Sequence, residues 1–84
     1  MLAEFWGKRL RDARGERSQE WLAKVVGVDQ TTISRLERGQ YRMTPELMIA
    51  LAVALDASSL ESLFPYPPGL IERERFRRSQ AVAS

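Results

Sequence analysis

Eighty-four residues suffice for one small core, of a size that association between copies would help to stabilise. Cysteine and histidine are both absent, which excludes a disulfide framework, a thiolate or imidazole metal site and a Ser/His/Asp triad within one chain. The net charge of +2 is too small by itself to demand a nucleic-acid partner, yet basic residues gather towards both ends and the acidic excess lies in residues 40–68.

Residues 2–14 predict a first helix. Leu2, Trp6, Leu10 and Ala13 mark its inner stripe with Phe5 beside it, while Lys8, Arg9, Arg11 and Arg14 crowd the other faces. Gly7 inside this helix costs about 1 kcal/mol relative to alanine, and close approach by another helix would explain it. Gly15 closes the element. Ser18 is placed to cap a second helix, because its hydroxyl can accept from an early free amide. Leu22, Ala23 and Val26 form that helix's inner face, and Gly27 stops it through the left-handed conformation. Val28 is the apolar residue of the turn and plugs the angle between helices. Asp29 is a second cap candidate, followed by a helix over Gln30 to Arg38 that Gly39 ends.

The third helix carries most of the functional information. At about 100° per residue, Ile33 and Leu36 define its inner face. Thr31, Ser34, Arg35 and Arg38 fall on the opposite side, and Gln30 flanks them in the first turn. This outer face holds hydrogen-bonding side chains and two arginines with no acid among them. It suits a helix laid in the major groove, where an amide can bond adenine, arginine can fork onto guanine and a threonine methyl can touch thymine. A merely solvated face is the competing reading of the same composition.

Gln40 to Met43 form a loop. Thr44, Pro45 and Glu46 are a helix start: a cap, a residue with preset φ and an acid in the first turn. The fourth helix is predicted from Pro45 to about Leu55. Leu47 to Leu55 are all apolar, a run too short to span a bilayer, so the helix is expected to be buried on more than one side. Asp56 and Ala57 make a turn, and Ser58 or Ser59 can cap a last short helix reaching Phe64. The prolines between Pro65 and Gly69 end the domain. Residues 70–78 hold four arginines and a short amphipathic pattern, expected as a partly ordered tail, and 79–84 are expected to be disordered. The organisation expected is a helix-turn-helix domain over 1–68 and a basic C-terminal tail over 69–84.

The series Ser18-Gln19, Leu22-Ala23, Gly27-Val28, Ile33, Leu36-Glu37 and Gly39 resembles the helix-turn-helix of the phage repressor/Cro family, also called the Xre family. The likeness extends to about residue 64, with Leu60, Leu63 and Phe64 resembling the family's closing Leu-x-x-Leu-Phe. It implies an all-α, five-helix lambda-repressor-like domain with the helix-turn-helix at helices two and three. Two departures stand out. The linker from Arg14 to Gln19 is one residue longer than the family's and lacks its apolar plug. Met43 stands where the family has proline.

The resemblance also implies residue roles. Family members commonly bond an arginine of helix one to the glutamate at the position of Glu37. Arg11 is the first candidate here and Arg14 the second, in a structural ion pair that holds the recognition helix. Gln19 is expected to reach a phosphate from the start of helix two, with capping as its alternative. Arg42 and Tyr41 lie in the loop that runs beside the phosphate backbone. Met48, Leu51, Ala52 and Leu55 match core positions, which leaves Ile49 and Val53 as the expected dimer surface. Trp21 and Val25 occupy a face that the family fills with glutamate and lysine, so cover by the tail or a partner subunit is expected.

The function expected is a sequence-specific, DNA-binding transcriptional regulator, a repressor, that binds a palindromic operator in double-stranded DNA as a homodimer. Gln30, Thr31, Ser34 and Arg35 are the base-contacting candidates. Gln19, Thr32, Arg38, Tyr41 and Arg42 are the phosphate-contacting candidates. The alternative is a protein-interaction module, such as an antitoxin or regulatory partner, with a possible protein partner at the Trp21 and Val25 patch. Enzymatic activity, a cofactor and a metal are not expected. No run resembles a signal peptide or a spanning helix, so a cytoplasmic location without membrane association is expected.

Overall fold

Solvent scarcely reaches Leu10, Leu22, Ile33, Leu36 and Leu51, and the four helices that supply them enclose one core. The computed structural model describes residues 2–65. Within them the chain forms α1 (Leu2–Arg14), α2 (Gln19–Val26), α3 (Gln30–Glu37), α4 (Pro45–Ala54) and α5 (Leu60–Leu63), with no strand. α3 packs between α1 and α2, α4 lies against α2, and α5 closes the bundle against α1 and α4. Each of the five central side chains contributes about 1.5–3 kcal/mol by leaving water. The expectations for the tail helix, the disordered end and the boundary at residue 68 lie outside the described residues.

Local chemistry sets the helix ends. The Ser18 hydroxyl accepts from the Trp21 amide at 2.9 Å, and the Thr44 hydroxyl accepts from the Leu47 amide at 3.2 Å. Gly27, at φ 88°, donates its amide to the Ala23 carbonyl and turns the chain from α2 into the approach to α3. Of the two serines proposed to cap α5, Ser59 does so, in a reciprocal pair with Ser62. Asp29 occupies the N-cap position of α3, but its side chain makes no capping hydrogen bond. Its expected role therefore reduces to an extended backbone and a negative charge near the helix start. α3 ends at Glu37, so Arg38 is its cap and not its last turn, and Leu55 likewise caps α4.

The inner stripe of α1 is rotated from the expected one. Trp6, Gly7 and Leu10 are buried, while Ala13 is exposed. Gly7 explains the rotation: a Cβ there would stand 2.5 Å from the Leu36 carbonyl oxygen and 2.7 Å from that of Glu37. A side chain would prevent α1 and α3 from meeting at this distance. The stripe then continues by one turn from Leu10 to Arg14.

The apolar run of α4 is covered on one side only. Leu51 and Ala52 are buried, and Leu47, Met48, Ala54 and Leu55 pack at the edge of the core. Ile49 and Val53 remain 56% and 75% exposed, so burial on more than one side is not met among the described residues. Leu60 is exposed, and α5 anchors itself instead through Leu63 and Phe64. The Phe64 ring lies 5.7 Å from that of Trp6, tilted by 59°. The Trp6 indole donates to the Pro65 carbonyl at 2.8 Å. Arg9 donates to the carbonyls of Leu63 at 2.9 Å and Ser62 at 2.7 Å, satisfying acceptors that a helix leaves open at its C-terminus. Trp21 is half-buried against the core with the Arg17 guanidinium 4.5 Å above its ring, whereas Val25 stays exposed. Trp21 thus gains most of its cover from its own domain, through the core and a cation–π contact. Among the described residues no helix is long and apolar enough to cross a membrane.

Candidate nucleic-acid interface

The outward face of α3 follows from the burial of its inner one. Ile33 and Leu36 are sealed in the core, which leaves Gln30, Thr31 and Arg35 exposed and Thr32 and Ser34 half-buried at the flanks. These five lie on one short helix, so the structure brings the base-contacting candidates together on one surface. Arg38 follows at the cap, exposed, its Nε donating to the Ser34 carbonyl at 3.3 Å. Tyr41 and Arg42 are exposed in the loop that leads to α4. That loop places them beyond the end of α3.

The acid of α3 is turned inward. The Glu37 side chain is 3% exposed. Arg14 grips it with both arms of its fork, Nε donating to Oε2 at 2.6 Å and Nη2 to Oε1 at 3.0 Å. Gln19 completes the set by donating Nε2 to Oε1 at 2.9 Å. A buried carboxylate needs such partners, since an unpaired charge there would be strongly unfavourable. The hydrogen bonds to Glu37 hold the Arg14 guanidinium above its usual pKa, against the opposing effect of partial burial. One network therefore joins α1, α2 and α3.

This corrects the expected pair: Arg14, and not Arg11, is the partner of Glu37. Arg14 continues the Trp6–Leu10 stripe at four-residue spacing, whereas Arg11 lies on the next face and is exposed. The longer linker is accommodated at the same point. Gly15 takes a φ of 59°, and Arg14 donates Nη1 to the Arg17 carbonyl at 2.5 Å, so one side chain holds both the linker and α3. The spacing of Trp6, Leu10 and Arg14 was the signal in the sequence that favoured Arg14. Gln19 does not cap α2, a task Ser18 performs. Its amide is oriented by Glu37, beside a shallow cleft lined by Arg11, Arg14, Gln19, Ser34, Glu37 and Arg38.

Three comparisons with known proteins bear on this arrangement. A family model described as a helix-turn-helix domain matches residues 7–63. The solved structure of the restriction-modification controller protein C.AhdI from Aeromonas hydrophila is similar, with 37% sequence identity and a TM-score of 0.68. The match covers 75% of this chain and 96% of that one. The curated proteins give no match.

Proposed function

The chain belongs to the helix-turn-helix domain family, a DNA-binding family, and on that premise we propose that it is a sequence-specific regulator of transcription that reads its operator through α3. One observation carries this reading. The only acid of α3 is buried and neutralised, so the exposed helix presents amide, hydroxyl and guanidinium groups alone. Such a surface can enter a groove lined by phosphates without repulsion and find partners on base edges. The likeness to a protein named as a controller supports a regulatory role. Gln30 is assigned to an adenine and Arg35 to a guanine, with Thr31 and Ser34 beside them. Gln19, Thr32, Arg38, Tyr41 and Arg42 position the helix from the backbone side.

The regulator acts as a homodimer on a palindromic operator, with half-sites about one helical turn, roughly 34 Å, apart. Ile49 and Val53 form the core of the dimer surface, bordered by Ala52, Ala57 and Leu60 in an apolar groove. Repression follows from occupancy, because a dimer seated on promoter DNA denies that DNA to other proteins. The role is binding and not catalysis, in keeping with a chain that holds neither histidine nor cysteine.

The test is selection of bound duplexes from a random library at about physiological salt, where counterion competition suppresses nonspecific binding. An enriched palindrome is the expected result. No enrichment by folded protein would overturn the reading. On the selected site Arg35→Ala is expected to cost about 1–3 kcal/mol at one base position and to relax preference there. Equal weakening on every sequence would instead make Arg35 a phosphate contact.

A further inference from the structure

Resting on the DNA-binding reading above, we propose that Arg11, on α1, is a phosphate-binding residue, and that together with Arg38 it seats one phosphodiester of the DNA strand bordering the groove. The cleft at the meeting of α1, α2 and α3 has six lining residues: Arg11, Arg14, Gln19, Ser34, Glu37 and Arg38. Its one acid, Glu37, has both carboxylate oxygens engaged by Arg14 and Gln19. The Arg14 charge is cancelled in that pair, so Arg11 and Arg38 are the cations left to face an incoming group. Both are exposed. The Arg11 guanidinium has no hydrogen-bond or ion-pair partner among the described residues, and the Arg38 fork is held only by its Nε.

The position of the cleft identifies the anion. A helix is about 10–12 Å across with its side chains, and the major groove is about 12 Å wide. A helix seated there fills the groove, so groups beside its flank come up against the sugar-phosphate strand. Ser34 and Arg38 lie on that flank of α3, and Arg11 faces them across the cleft from α1. Arg11 is one turn before Arg14, whose bonds to Glu37 fix this end of α1 against α3. The guanidinium is thereby carried on two helices locked together, and its planar fork matches a phosphate. The contact informs position and not sequence.

The experiment measures affinity of the full chain, wild type and Arg11→Ala, for the selected operator and for a scrambled duplex between about 50 and 200 mM salt. Loss of one phosphate contact per subunit, two per dimer, is expected to weaken both duplexes about thirtyfold near 150 mM salt and to make the log–log salt slope shallower by about 1.8. Arg11→Lys is expected to keep the wild-type slope, and thermal melts are expected to be unchanged. Wild-type affinity and slope for Arg11→Ala, while the wild type binds DNA, would overturn this proposal and leave the DNA-binding reading intact. A loss confined to the operator would also overturn it, since that marks base reading. Failure of the wild type to bind either duplex would overturn both.

Discussion

The seam between α1 and α3 and the outer face of α4 differ in what holds them. At the seam Gly7 admits the Leu36 and Glu37 carbonyls where a side chain would otherwise stand, and Arg14, Glu37 and Gln19 join three helices by directional bonds. On α4, Ile49 and Val53 project into solvent and offer only apolar area. Directional bonds fix angles, and so hold α3 at one orientation against α1 and α2. Apolar area fixes no angle by itself and stabilises whatever complementary surface covers it. The two faces differ in kind: one fixes the orientation of α3 within the domain, and the other leaves apolar surface uncovered among the described residues.

Mutations test this division, since changes at the seam alter folding and changes on α4 alter association. Arg14→Ala leaves Glu37 buried with Gln19 as its remaining donor, and is expected to destabilise the domain by about 3 kcal/mol in urea titration. A loss near that of a surface ion pair, below about 1 kcal/mol, would mean that the seam does not depend on the network. Ser18→Ala removes a cap that the structure uses and should cost about 1 kcal/mol. Asp29→Ala at the equivalent position of α3 should cost only a few tenths, through the helix dipole, because no capping bond is lost. Equal costs for the two caps would contradict their different geometries. Ile49→Asp is expected to change monomer stability by no more than about 0.5 kcal/mol, while halving the mass found by sedimentation. Its melting temperature should also lose the dependence on concentration expected of a dimer. An unchanged mass would exclude this face as the subunit contact.

The sequence made the helix order legible because its local signals agree. Ser18, Gly27, Thr44 and Pro45 mark ends that the structure places within a residue or so, and Ile33 with Leu36 fixed which side of α3 faces in. The outward face of α3 was legible for the same reason, since burying one side of a helix exposes the other. Three-dimensional register was less so. Arg11 and Arg14 are both one side chain long enough to reach Glu37, and the longer linker hid which one did. Ala13 and Leu60 carry apolar side chains at helical spacing, yet they face solvent, because periodicity gives a stripe only to within a residue of its centre.

What the residues determined alone is local: caps, stops, the apolar faces and the family to which they belong. Those depend on backbone dihedrals and hydrogen bonds within a few positions of one another. Only the tertiary structure decided the rotation of α1, the choice of Arg14, the capture of Gln19 by Glu37 and the anchoring of α5 by Trp6 and Arg9. Each of these joins groups from different helices, and their geometry is set by how closely the helices pack, which at the α1–α3 seam is as close as a glycine allows.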